Sequence, residues 1–148
     1  MRQKRAEVLI VGGGLAGLSA AIYLGRARRD TLVVDTAKSM ARWEPDVQNY
    51  LGFPSGISGA ELLRRGRRQA GRYGVGFLND RVIEVARQMG GFTLNGERNS
   101  YRAARVLLAT GIFHIPPDIP GVASCHAVCS PFHPAPGRDV KASSQTPA

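Results

Sequence analysis

Six residues near the start of the chain, Gly12-Gly13-Gly14-Leu15-Ala16-Gly17, fit the spacing G-x-G-x-x-G. Each glycine in that pattern has a physical task when the segment joins a strand to a helix. Gly12 allows the tight turn, Gly14 lets the backbone approach a pyrophosphate, and Gly17 lets the helix pack closely on the strand. A pyrophosphate then sits at a helix N-terminus, where free N–H groups and the macrodipole favour negative charge. The pattern alone is weak, so an acid at the right distance matters. Asp35 falls where a second strand should end and can accept hydrogen bonds from ribose hydroxyls. An acid there disfavours a ribose carrying a further phosphate, which argues against NADP at this site. These residues imply dinucleotide binding, by Gly12, Gly13, Gly14, Leu15, Ala16, Gly17 and Asp35.

That chemistry needs a strand before the glycines and a helix after them. Glu7 to Val11 is a short β-branched run leading into the glycines, as a buried parallel strand would. Leu15 to Arg28 carries Leu18, Ala21 and Ile22 at helical spacing and ends in cations, which suit the carbonyl end of a helix. Leu32 to Val34 makes a second buried strand, so a right-handed β-α-β crossover is predicted. Thr36 to Gly56 lacks periodicity and reads as a long loop, a kind usually functional in a compact domain. Ser58 and Glu61 form a capping box for a helix running to about Tyr73. A strand near Val75 to Leu78 follows. Val82 to Arg87, Phe92 to Leu94 and Tyr101 to Ala109 then read as a three-stranded antiparallel meander, with hairpin signals at Gly90-Gly91 and Asn95-Gly96. Its last strand is apolar enough to re-enter the parallel sheet. The expected fold class is α/β, a Rossmann-like parallel sheet with helices and an antiparallel meander on one face.

Composition bounds the function classes. The 148 residues suffice for one core, and a hydrophobic fraction of 43% is ordinary for a globular protein. The net charge of +9 is mostly arginine, with a cluster at Arg64, Arg65, Arg67, Arg68 and Arg72. No aromatic interleaving or nucleic-acid motif accompanies it, so the cluster reads as the solvated face of an amphipathic helix. Neither nucleic acid nor membrane is an expected partner. The uncharged run from Val8 to Leu24 superficially suggests a signal peptide, but Glu7 interrupts the basic region and the glycines would break an apolar helix. The chain reads as cytoplasmic. Cys125 and Cys129 are too few for a disulfide framework. Cys125, His126, Cys129 and His133 lack a metal-binding frame, and no metal site is assigned.

In combination these segments resemble the thioredoxin reductase-like flavoproteins of the pyridine nucleotide-disulfide oxidoreductase superfamily. The resemblance is carried by Val11 to Gly17, Asn49-Tyr50-Leu51-Gly52-Phe53-Pro54, Gly56 to Leu63, Leu107-Leu108-Ala109-Thr110-Gly111 and the Pro117-x-x-Pro120-Gly121 linker. It implies that the fingerprint binds the ADP half of FAD. It also implies that Asn49 neighbours the flavin and that Thr110 and Gly111 belong to the cofactor shell. A complete member would pass two electrons from NAD(P)H through FAD to a disulfide or other acceptor, commonly as a dimer. NADPH becomes a donor here only if a second domain is supplied.

The departures from the family pattern are as informative. No second glycine fingerprint follows Gly121, nor does a returning Gly-Asp segment. The redox-active members carry Cys-x-x-Cys just past the linker, whereas this chain has Cys125-His126-Ala127-Val128-Cys129. That spacing does not match a nucleophile and its resolving partner. No catalytic residue is therefore named, His114 included. The expectation is an incomplete FAD-binding domain over 1–121 and a disordered tail over 122–148, as in a truncated or frame-shifted relative. The alternative is a non-catalytic remnant with weak or no FAD binding. Without the returning segment, apolar sheet surface should lie exposed and favour self-association.

Overall fold

The computed structural model describes residues 3–112. Six strands form one sheet in the order β3-β2-β1-β6-β5-β4, where β1 is Gln3–Val11, β2 Thr31–Asp35, β3 Gly76–Asn79, β4 Val82–Gln88, β5 Gly91–Gly96 and β6 Ser100–Leu108. Two helices, α1 at Leu15–Arg26 and α2 at Gly59–Gly71, join the parallel strands. β3, β2, β1 and β6 run parallel, and β6, β5 and β4 continue as an antiparallel meander.

Strand alternation explains why both faces must be covered. Ile10 and Val33 pair in register and point to the face where Ala21 of α1 and Ala70 of α2 pack. Leu9 and Val34 point to the other face and share a core with Leu94 and Tyr101 of the meander. Helices therefore shield one face and the meander the other. All six of these strand residues are at most 1% exposed, and each burial is worth about 2 kcal/mol.

The expected fold class stands, and β6 does re-enter the parallel sheet beside β1. Several boundaries differ for physical reasons. β1 starts at Gln3 rather than Glu7, because its polar first half pairs with Ser100 to Ala103. α1 stops at Arg26, and Arg28 takes a left-handed conformation with φ 56°. The loop after β2 contains a single 3-10 turn, Met40–Trp43, and a bridge between Val47 and Ile57. The hairpin expected at Asn95-Gly96 forms between β5 and β6, with Gly96 ending β5 and its N–H bonding the Asn99 carbonyl at 2.8 Å, so that Glu97 and Arg98 take the centre of the turn. β5 accompanies β6 only from Ser100 to Ala103, so Arg105 to Leu108 has no strand on its outer edge among the described residues. Leu108 beside that edge is 66% exposed. The linker, Cys125, Cys129, His114, the 121 boundary and the tail lie outside the described residues.

Candidate functional site

The carboxyl ends of four strands converge. Gly12 N–H bonds the Val34 carbonyl at 2.8 Å, Ala109 N–H bonds the Val11 carbonyl at 2.8 Å, and Asp80 N–H reaches the Asp35 carbonyl at 3.3 Å. The chain leaves β1 toward β2 and β3 on one side and returns as β6 on the other. Such a reversal of strand order opens a crevice that the sheet itself cannot fill. Here it holds a cleft of about 750 Å³, lined by Gly12, Gly14, Leu15, Ala16, Asp35, Thr110 and Gly111 among others.

The glycines stand where a side chain could not. Gly12 has φ 105°, and a Cβ there would collide with the Ala109 carbonyl. A Cβ on Gly17 would collide with the Gly12 carbonyl, so α1 rests on the turn itself. Gly13 lies against Asp35, with 2.8 Å between a would-be Cβ and the carboxyl carbon. Gly14 is the N-cap of α1, makes no side-chain hydrogen bond, and is followed by no acid in the first turn. The first α1 amide to find a carbonyl in the helix is that of Leu18, bonded to Gly14 at 2.9 Å. The amides of Leu15, Ala16 and Gly17 thus precede the ladder at the mouth of the cleft, as a bound anion requires.

Of the ten cofactor-binding residues expected from sequence, seven line the cleft, and Gly13 and Gly17 buttress its turn. Asn49 is exposed and is not among the cleft-lining residues. Its neighbours Tyr50, Leu51 and Phe53 border a separate groove.

Sequence reasoning missed the third wall, Asp80, Arg81 and Val82, along with Lys38, Ser39 and Met40 on the loop after β2. Asp80 is 4% exposed and accepts five hydrogen bonds. The donors are the Arg81, Arg98 and Asn99 amides, the Asn99 side chain and, at 2.6 Å, the Tyr101 hydroxyl. Burial alone would raise its carboxyl pKa, but the bonds from Tyr101, Asn99 and the two arginine amides outweigh burial and hold it below the usual range. Burial and the same carboxylate push the Tyr101 hydroxyl up, so it remains a donor. Asp80 therefore locks the β3–β4 connection to the β5–β6 hairpin. Lys38 and Arg81 add positive charge to the cleft, complementary to a phosphorylated ligand.

Residues 6–135 match the model of the pyridine nucleotide-disulphide oxidoreductase family. The chain belongs to that family. The chain resembles the thioredoxin reductase of Treponema pallidum, with 35% identity over 117 residues. That match covers 78% of this chain and 38% of the relative. Among solved structures, an atypical thioredoxin reductase from Desulfovibrio vulgaris Hildenborough shares 40% identity at a TM-score of 0.69, covering 80% of this chain and 40% of that one. An oxidoreductase from Agrobacterium tumefaciens superposes at a TM-score of 0.73 with 33% identity, covering 81% and 41%. The chain thus spans about two-fifths of the length of these relatives. Among the described residues, no helix is long and apolar enough to cross a membrane.

Proposed function

We propose that this chain is the FAD-binding part of a cytoplasmic thioredoxin reductase-type oxidoreductase. The observation carrying the proposal is the cleft at the strand ends, where an uncapped α1 N-terminus and the Asp35 carboxylate meet. The residues fit the group. The glycine turn and the free amides of α1 would hold the pyrophosphate, with Lys38 and Arg81 adding charge. Asp35 would accept from the adenosine ribose, and Thr110 and Gly111 would close the cleft from β6. Asn49 remains a proposed flavin neighbour. When bound, FAD supplies two-electron transfer, which in a complete member runs from NAD(P)H to a disulfide or other acceptor. The protein's own part is to bind and orient the cofactor. NADPH enters as donor only with a second domain, and pairing of two copies belongs to the same reading.

The second reading is a non-catalytic module that binds FAD weakly or not at all. Visible absorbance of the purified chain, with and without added FAD, separates the two. A yellow protein with stoichiometric flavin, lost in Gly14→Trp, supports the first. Colourless protein that gains no flavin on reconstitution leaves the fold as ancestry and the second reading in force.

A further inference from the structure

A groove of about 290 Å³ lies between α1 and α2 and shares only Leu15 with the residues lining the cleft. Its floor is apolar, made by Leu15, Leu18 and Ile22 of α1 and Leu62 of α2. Gly66 brings the helices together there, with 3.2 Å between a would-be Cβ and a Leu18 methyl. Tyr50 and Phe53 border the groove, and Leu51 beside them is 96% exposed.

Helical spacing sets a cationic row along this floor. Leu62, Arg65, Gly66 and Gln69 line the groove, and helical spacing continues the row from Arg65 to Arg68 at i+3 and to Arg72, the C-cap of α2, at i+7. Arg65 is engaged, bonded to Glu61 and placed 5.5 Å over the Phe53 ring. Arg68 and Arg72 have no carboxylate partner among the described residues. Neither helix supplies another acid. Glu61 is the sole carboxylate in α2, already shared by Arg64 and Arg65, and α1 has none. Gly25 packs against Tyr73, so the two helices end together, with Arg26 on α1 adding to the same charge.

An apolar floor beside unpaired arginines selects its partner by charge. A second copy would bring the same arginine row across a two-fold axis and be repelled. We propose that the α1–α2 groove docks an acidic amphipathic segment of a partner protein, with apolar side chains on the floor and carboxylates on Arg68 and Arg72. This is the helix-in-groove mode of recognition, and it does not depend on whether the cleft holds FAD.

The probe is a fluorescein-labelled synthetic peptide of about 18 residues, long enough to form a helix, with leucines on one face and glutamates elsewhere. Its counterpart carries glutamine for glutamate. Anisotropy with the full chain should show binding of the glutamate peptide that weakens with salt. Loss should reach about tenfold in Arg68→Glu/Arg72→Glu and be comparable in Gln69→Trp, which fills the groove from an exposed position. Arg87→Glu on β4 makes a similar charge change elsewhere and should leave binding intact. Circular dichroism checks folding. If either groove variant unfolds, the glutamate–glutamine contrast on the unaltered chain decides. Equal binding of the two peptides, or equal loss in Arg87→Glu, overturns the proposal. So does a dimer in sedimentation that Gln69→Trp abolishes and the peptide does not displace, since a second copy then fills the groove. Binding of phosphatidylserine vesicles without binding of the peptide overturns it in favour of a lipid surface.

Discussion

The two α-helices among the described residues begin in opposite ways. At α2 the Ser58 hydroxyl accepts the Glu61 amide at 3.3 Å, and the Glu61 carboxylate is itself bonded by Arg64 and Arg65. At α1 the N-cap is Gly14, with no side-chain bond and no acid in the first turn. The first end uses its own cap to satisfy one of its free donors. The second leaves them facing the cleft, so α1 must draw its stability from packing, through Gly17, Leu18 and Ala21. A helix that ends without a cap beside a cavity is held in place by its neighbours and completed by its ligand.

Removing the packing beneath α1 should have the largest effect. Gly17→Val drives a side chain into the Gly12 carbonyl and should cost more than about 4 kcal/mol, seen as loss of a cooperative urea transition. Asp80→Asn tests the opposite wall. It puts donors against donors in a site built for a carboxylate and should cost about 3 kcal/mol. The folded pKa of Asp80 lies below its unfolded value, so its contribution is full above about pH 4 and is lost as pH falls through the folded value. Urea midpoints measured from pH 7 down to 3 should therefore fall for the parent and converge toward those of the variant.

The two helix starts can then be exchanged. Ser58→Ala should lose about 1 kcal/mol with flavin content unchanged. Gly14→Asp gives α1 an internal cap, raising stability by a few tenths of a kcal/mol at most while expelling the cofactor. Retention of full flavin by that variant would show the α1 terminus not to be the anion site. Glu61→Gln should do least, because the Glu61–arginine contacts are solvent-screened. Hydrogen bonds from Arg64 and Arg65 hold the Glu61 carboxyl down to about 2. Its small contribution should thus persist below the usual carboxylate range, fade only as pH falls toward 2, and shrink in high salt.

The elements legible in the sequence were those with a local signature. The glycine turn, the short apolar runs of β1 and β2, the Ser58 capping box and the Gly90-Gly91 hairpin each announce themselves within a few residues. The first half of β1 did not, since Lys4 and Arg5 are polar and become strand only by pairing with Tyr101 and Arg102. Asp80 was invisible for a similar reason. An aspartate after an asparagine reads as a turn, and only the approach of Arg98, Asn99 and Tyr101 makes it a buried acceptor. Lys38 and Arg81 looked like two surface cations among many, and the cleft unites them only once β2 and β3 pair.

The pairing of Val11 with Leu108 also has a consequence in time. On a ribosome, β1 emerges first and its β6-side edge waits for nearly all of the described chain. The bonds around Asp80 close within about twenty residues, and short closures form before long ones. The meander can therefore assemble as a local unit, whereas the cleft needs the glycine turn and residues 109–111 side by side. Among the described residues, the turn most plainly written in Gly12 to Gly17 belongs to the part that a growing chain completes after the meander.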